Sequence, residues 1–251
     1  MFDEINLFVV AWCSFALVCG GLIKGTLGVG TPLLTVPLMA LVLPAQMAVT
    51  LMAIPVVVAN LWQVSRANHL QSVAGRFWPA FLAILLGTYV GVKVLSTIDE
   101  RSLLMLVGFI VIAFTLIQAS SYRFSVPQTL EKPAGFVFGF ASGVIGGVSS
   151  MFGPMLIIYL VSVKNLDKAR FVGAISFLYI AAVVPWVAIL YWFGILDARM
   201  FILSTAATLP VVVGLIIGQK FRERVSDQHF HRLVLVVLLA SGGIMLWRAL
   251  T

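Results

Sequence analysis

The chain has 251 residues, of which 61% are hydrophobic and only 10% are charged, and its mean hydropathy is +1.11. A soluble domain carries about 25% charged residues because its surface faces water, so this composition excludes an ordinary soluble protein and makes the lipid bilayer its partner. The net charge of +7 does not indicate nucleic-acid binding, because the basic residues lie in short loops between apolar runs, where they report membrane orientation.

Apolar segments follow one another along the whole chain, and none alternates as a strand would. They lie near 5–27, 31–43, 47–64, 76–95, 101–119, 134–148, 152–163, 168–192, 199–219 and 229–248. Runs of about 20 apolar residues are typical of membrane-spanning helices, and lipid tolerates only helices or closed barrels. The sequence therefore predicts an all-α polytopic membrane protein.

The chain resembles itself at two offsets, which indicates two homologous halves. A shift of 122 residues superposes Gly21 on Gly143, Gly25 on Gly147 and Pro32 on Pro154. A shift of 127 superposes the segment 87–93 on the segment 214–220. We therefore predict a first repeat half at 1–119, a linker at 120–133 and a second repeat half at 134–251.

Each half opens with a glycine-rich run and then a short apolar helix. Twelve or so residues span about 18–20 Å at 1.5 Å per residue, too short for a hydrocarbon core of about 30 Å. Either the short helix forms a re-entrant hairpin with the segment before it, or the two together make one discontinuous span.

Loop charge favours hairpins, and with them inverted repeats. In that topology 11 basic residues collect on one side and 4 (Lys93, Arg101, Arg199, Arg248) on the other, against 9 and 6 for eight simple spans. The positive-inside rule then predicts that the side with more basic residues is cytoplasmic. The basic residues on that side are Arg66, Arg76, Arg123, Lys132, Lys164, Lys168, Arg170, Lys220, Arg222, Arg224 and Arg232.

The breaks before the short helices are predicted to bind an anion. Thr31-Pro32 is typical of a helix start, because Thr can cap free N–H groups and Pro is favoured in the first turn; Gly153-Pro154 repeats the pattern. Helix starts inside a membrane point unpaired N–H donors at the interior, where an anion can accept from them. Paired Gly/Pro interruptions in two halves are the best sequence pointer to a transporter's site.

Lys24 lies deep in an apolar segment, close to the first break. An intramembrane lysine costs about 2.5–3.5 kcal/mol on insertion scales and by default indicates function; the alternative is that its side chain snorkels to the interface. The hydroxyls of Thr26, Thr31, Ser149 and Ser150 could donate to an anion or equally bond to their own helices.

Three Gly-x-x-x-Gly pairs, beginning at Gly87, Gly139 and Gly214, match the pattern for close helix packing. A homodimer through such surfaces is compatible with the sequence. Other chemistry is poorly represented: no Asp or Glu lies in the middle of a span, no ATP-binding or protease motif is present, and Cys13 and Cys19 form neither a disulfide framework nor a zinc site. We expect no enzyme activity, cofactor or metal.

The two broken segments resemble those of the TauE/SafE family of sulfite-exporter-like membrane proteins. The resemblance rests on the run 20–34 (GGLIKGTLGVGTPLL), on its second copy at 139–156 (GFASGVIGGVSSMFGPML) and on the two-half layout. Lys24, Thr31 and the run Ser149-Ser150-Met151 depart from the family's usual glycine runs. The resemblance implies export or uptake of small sulfur-containing anions, such as sulfite or sulfonates, across a bacterial-type inner membrane.

Together these features predict a secondary transporter of a small anion by alternating access, with its site between the breaks at 24–32 and 146–154. Backbone N–H groups at 31–34 and 153–156 would bind the anion. A passive anion channel and a non-transporting membrane scaffold are the alternatives. The predicted substrate-binding residues are Lys24, Thr26, Gly28, Gly30, Thr31, Pro32, Ser149, Ser150, Met151, Gly153 and Pro154.

Overall fold

The computed structural model describes residues 7–28, 30–65, 70–120, 125–221 and 227–250, and within these ranges it is helical, with no strand. The side chains of Leu27, Gln71, Ser72, Lys168, Phe221 and 227–233 lie outside the description. So do four of the basic loop residues: Arg66, Arg123, Arg222 and Arg224. The α-helices are α1 (Leu7–Leu27), α2 (Thr31–Met39), α3 (Ala45–Thr50), α4 (Ala53–Val64), α5 (Leu70–Thr97), α6 (Glu100–Ala119), α7 (Glu131–Ser149), α8 (Gly153–Ser162), α9 (Lys168–Trp192), α10 (Ala198–Phe221) and α11 (Asp227–Leu250).

Six stretches of the described residues are long and apolar enough to cross a membrane. They are Leu7–Thr26, Ala45–Val64, Val73–Thr97, Glu100–Ala119, Ala169–Trp192 and Ala198–Lys220. The prediction of an all-α polytopic membrane protein is thus confirmed. Two segments differ from the sequence prediction. The segment 47–64 is interrupted by a turn at 51–52, and the segment predicted at 134–148 begins earlier, because a 3-10 turn at Gln128–Leu130 leads directly into α7 at Glu131.

The chain divides into two compact units, each drawn from both sequence halves. The first unit comprises Met1–Pro55, Ile98–Ser120 and Arg199–Thr251; the second comprises Val56–Thr97 and Ser121–Ala198. These units cut across the predicted repeat halves, because helices from different halves pack together within each unit.

In the first unit, α2 runs back along α1. Trp12 Nε1 donates to the carbonyl of Leu38 at 2.8 Å, and Thr35 Oγ1 donates to that of Ala16 at 3.4 Å. Residues progressively earlier in α1 therefore meet residues progressively later in α2, so the chain reverses direction at the break. Gly20 allows the approach, since a β-carbon there would overlap the Thr35 hydroxyl.

The second unit contains an equivalent hairpin made by α7 and α8. Ser142 Oγ donates to the carbonyl of Phe152 at 2.6 Å, and Tyr159 Oη donates to that of Glu131 at 3.0 Å. Phe138 stacks on the Tyr159 ring, with centroids 5.9 Å apart. As in the first unit, the short helix folds back on the helix that precedes it.

Glycines hold each hairpin's long helix against a partner helix from the other sequence half. In the first unit, β-carbons at Gly21 and Gly25 would overlap the carbonyl oxygens of α10 residues Val211 and Leu215. In the second unit, those at Gly143 and Gly147 would meet the carbonyl oxygens of α5 residues Ile84 and Thr88. The α1 and α7 positions differ by 122, and the α10 and α5 positions by 127.

The glycines of the partner helices α10 and α5 make the reciprocal contacts, and these contacts are related by the same two offsets. Gly214 and Gly218 of α10 press on the carbonyls of Val18 and Leu22, whereas Gly87 and Gly91 of α5 press on those of Phe140 and Val144. The predicted role of these glycines in close helix packing is confirmed. Because the three predicted glycine pairs pack within the chain, they no longer supply an argument for a homodimer.

The turn between α3 and α4 is secured from α10 of the first unit. Ser204 Oγ donates to the carbonyl of Leu51 at 2.9 Å and accepts from the N–H of Ile54 at 2.9 Å. The start of α3 is capped from α6, where the Glu100 carboxylate accepts from the N–H of Ala45 at 2.7 Å. Side chains distant in sequence therefore satisfy the backbone groups that this interruption frees.

Candidate functional site

The first break is a glycine turn between α1 and α2. Gly28 (φ 79°) and Gly30 (φ 97°) both adopt left-handed backbone, which glycine enters without the steric cost that other residues meet. The N–H of Gly28 donates to the carbonyl of Lys24 at 2.8 Å, which closes the last turn of α1. The chain can then reverse and begin α2 within three residues.

Thr31 does not cap α2, contrary to the sequence prediction. Gly30 is the N-cap, no side chain from the described residues caps the helix, and Thr31 is its first residue. The Thr31 hydroxyl is buried and has no hydrogen-bond partner within the described part of the chain. The predicted donors at 31–34 are also fewer, because Pro32 has no N–H and the N–H of Leu33 donates to the carbonyl of Gly30 at 3.1 Å.

Lys24 and Thr26 both lie near the end of α1, but their side chains have different surroundings. Lys24 is only 5% exposed, which disfavours the snorkelling alternative, because a snorkelling lysine keeps its ammonium in water. The Thr26 hydroxyl donates to the carbonyls of Leu22 and Ile23, both at 3.0 Å. Thr26 therefore bonds within its own helix.

The second break repeats the first with a different residue type. Ser150 ends α7 with a left-handed backbone (φ 67°), and its N–H donates to the carbonyl of Gly146 at 2.6 Å. Under the 122-residue shift, Ser150 corresponds to Gly28 and Gly146 to Lys24. The two breaks thus share one backbone design, although in the second a serine takes up a conformation that usually favours glycine.

The two serines of the second break are used differently. Ser149 Oγ donates to the carbonyl of Ile145 at 2.6 Å and accepts from the N–H of Met151 at 3.2 Å, so it stabilises the helix end. The Ser150 hydroxyl, like that of Thr31, is buried without a partner in the described residues. Met151 is buried as well.

The start of α8 contacts residues that the sequence did not single out. Gly153 is the first residue of α8, and Pro154 follows it. A β-carbon at Gly153 would overlap the Tyr179 hydroxyl of α9, so this hydroxyl lies against the helix start. Trp186, also from α9, donates from Nε1 to the carbonyl of Gly147 at 3.1 Å. Tyr179 and Trp186 were not predicted as site residues because aromatic residues in an apolar span are usually taken to face lipid.

The predicted site residues therefore fall into two groups, one in each unit. Lys24, Thr26, Gly28, Gly30, Thr31 and Pro32 belong to the first unit, and Ser149, Ser150, Met151, Gly153 and Pro154 to the second. Within the described ranges, no three His, Cys, Asp or Glu side chains come together as a metal site would require. What each break offers is a buried hydroxyl beside a helix start.

A family model settles what kind of protein carries these breaks. The model described as "Sulfite exporter TauE/SafE" matches residues 13–245. The chain belongs to the TauE/SafE family. No curated protein and no solved structure matches the chain. With six apolar spans among its described residues, this TauE/SafE protein is a multi-pass membrane transporter, and both breaks lie inside the matched region.

Proposed function

We propose that this transporter carries small sulfur-containing anions, such as sulfite or sulfonates, and that the helix start at each break binds the anion. The observation that carries the proposal is the Thr31 hydroxyl in the first turn of α2. It is 1% exposed and has no hydrogen-bond partner among the described residues. Leaving a buried polar group unsatisfied costs about 1–3 kcal/mol, and an oxyanion would supply the missing acceptor.

The surroundings of Thr31 support an anion over a neutral or cationic ligand. The free N–H groups of a helix start carry partial positive charge, equivalent to about half an elementary charge. Lys24, which is buried in the last turn of α1 just before the break, would add positive charge. In the second unit, the Ser150 hydroxyl and the N–H of Gly153 stand at the equivalent break, with the Tyr179 hydroxyl against it. Sulfite and sulfonate oxygens accept several hydrogen bonds at once, as such donor sets require.

We further propose inverted repeats and transport by alternating access, with the basic loops on the cytoplasmic side of a bacterial-type inner membrane. The hairpins α1–α2 and α7–α8 support the inverted topology. When each break is taken as a hairpin, 11 basic loop residues lie on one side of the membrane and 4 on the other. In this proposal the protein is a carrier without enzymatic activity. A passive channel would use the same helix starts, but its flux would not saturate with substrate concentration.

Ligand-dependent thermal unfolding of the purified full chain tests the site. We expect sulfite or a sulfonate to raise the melting temperature of the wild type in a concentration-dependent way. Thr31→Val keeps the shape of the side chain but removes the donor, so the shift should shrink or vanish. Thr26→Val is the matched control, because its hydroxyl already bonds to its own helix; the shift should remain. An undiminished shift in Thr31→Val would exclude this hydroxyl from the site.

Two further measurements refine the proposal. Lys24→Met removes the charge at similar length, and we expect it to weaken saturable anion uptake into proteoliposomes while the protein still inserts. Combining Thr31→Val with Ser150→Ala in a double-mutant cycle reveals whether the two breaks bind the same anion. Additive losses would mean that they act independently, and a coupling above about 0.5 kcal/mol would mean that they share a ligand.

A further inference from the structure

A basic pocket opens at one end of the second unit, away from the breaks. It has a volume of about 430 Å³, and its charged lining residues are Arg76, Glu131, Lys132 and Arg170. These come from the beginnings of α5, α7 and α9. We propose that this basic pocket binds a phosphate group, carried either by an anionic phospholipid headgroup or by a small soluble phosphate compound.

One wall of the basic pocket is a fixed ion pair. Arg76 donates from Nε and Nη2 to the two carboxylate oxygens of Glu131, at 2.6 and 2.8 Å, and also to the carbonyl of Lys164 at 3.0 Å. Such two-pronged pairs hold the guanidinium plane in one orientation. Arg76 and Glu131 offset each other in charge, so this wall supplies shape and rigidity, and the attraction for an anion must come from elsewhere.

Lys132 and Arg170 provide that attraction. Lys132 is exposed and makes no hydrogen bond or ion pair within the described chain. Arg170 lies 3.6 Å from Asp167, but both side chains are more than half exposed, and exposed pairs of this kind contribute little. Two cations thus face the pocket without strong partners. Gln128, Thr129 and Asn165 line the remainder and can bond to phosphate or glycerol oxygens.

The depth of the basic pocket matches that of lipid headgroups. The apolar spans of α5 and α9 begin at Val73 and Ala169, so Arg76 and Arg170 lie within one turn of where these spans start. Basic pockets between transmembrane helices at a membrane face are typical binding sites for anionic headgroups. A volume of about 430 Å³ is within the range of about 300–1,000 Å³ for small-molecule sites, which leaves room for more than a bare phosphate.

Native mass spectrometry of the full chain, reconstituted in phosphatidylcholine with or without phosphatidylglycerol, tests the proposal. We expect the wild type to retain phosphatidylglycerol selectively. Lys132→Gln/Arg170→Gln should weaken retention about 25- to 30-fold, at roughly fivefold for each basic residue near an anionic group. Lys93→Gln/Arg101→Gln is the matched control, because it removes the same charge from exposed residues outside the basic pocket. Lys132→Arg/Arg170→Lys should restore retention.

A second arm separates the two sources of phosphate. Glycerol 3-phosphate is added to detergent-solubilised protein, and stabilisation of the wild type but not of Lys132→Gln/Arg170→Gln would identify a soluble ligand. Equal retention of phosphatidylglycerol by wild type and pocket variant, together with no response to glycerol 3-phosphate, would overturn the proposal. An equal loss in the control would overturn it too, since it would show only general charge attraction. None of these readouts depends on anion transport.

Discussion

The glycine contact between α5 and α7 yields a prediction whose magnitude follows from the geometry. A β-carbon at Gly87 would overlap the carbonyl oxygen of Phe140 and lie 2.9 Å from the N of Val144 and 3.1 Å from the Cα of Gly143. All three neighbours are backbone atoms, which cannot move to another rotamer. Gly87→Ala must therefore push the two helices apart, and a gap of about 0.5–1 Å already forfeits a quarter to a half of each dispersion contact.

Gly75→Ala, in the same helix, isolates this effect. A β-carbon at Gly75 has no neighbour within 4 Å among the described residues. Both substitutions therefore share the gain of about 1 kcal/mol from the better helix former, and only Gly87→Ala overpacks. Overpacking costs about 1–3 kcal/mol, and backbone neighbours place this site toward the upper end. We expect Gly87→Ala to be less stable than Gly75→Ala by about 2–3 kcal/mol.

Thermal unfolding in detergent measures this difference. For chains of this size, 1 kcal/mol corresponds to about 2–4 °C, so the two variants should differ by about 4–12 °C. Gly214→Ala provides an independent check, because it repeats the same overlap on the carbonyl of Val18 in the first unit. If Gly87→Ala and Gly75→Ala melt together, the close backbone contact does not hold these helices and the reasoning is wrong.

Three further outcomes are expected. Ser204→Ala removes the hydroxyl that satisfies two backbone groups at the α3–α4 turn and should lower the free energy of unfolding by about 1–3 kcal/mol, whereas Thr205→Ala, whose exposed hydroxyl bonds its own helix, should change it little. Gly153→Ala should destabilise by overlap with the Tyr179 hydroxyl, and Tyr179→Phe in the same chain should recover most of the loss; no recovery would show that another neighbour blocks the site. The Asp99 carboxylate accepts from the backbone N–H of Ser102 at the start of α6, and this hydrogen bond lowers the pKa of the carboxyl. The stabilisation that ionised Asp99 gives the fold is present above the unfolded pKa and is lost as pH falls through the lower folded pKa. Asp99→Asn should therefore remove that part of the acid sensitivity in melting curves.

The membrane-spanning helices could be predicted from the sequence because their pattern is local, and the internal repeat is a prediction from matches at two fixed offsets. Apolar runs of helical length identify spans whatever their partners, since lipid leaves backbone groups no alternative to helical bonding. The offset of 122 reappears in the backbone, where Gly28 and Ser150 share left-handed conformations. The interruption at 51–52 could not be predicted in this way. It depends on hydrogen bonds from Ser204, which lies about 150 residues away in the sequence.

The roles of individual hydroxyls could not be read from residue type. Thr26 and Thr31 are the same residue five positions apart, yet one donates to its own helix and the other has no partner within the described chain. The difference arises because Gly30 takes the cap position of α2 and leaves Thr31 inside the first turn. Cap geometry depends on how the chain turns between two packed helices, which composition and spacing do not specify.

By itself the sequence determined that this is a helical membrane protein, and it predicted two related halves that each contain a glycine-rich break. Only the tertiary structure decided which helices pair: α1 with α10 in the first unit, and α5 with α7 in the second. A Gly-x-x-x-Gly pattern marks a helix face that permits close approach, but it does not say which helix approaches. That choice depends on which grooves and ridges meet, and those exist only once the chain is folded.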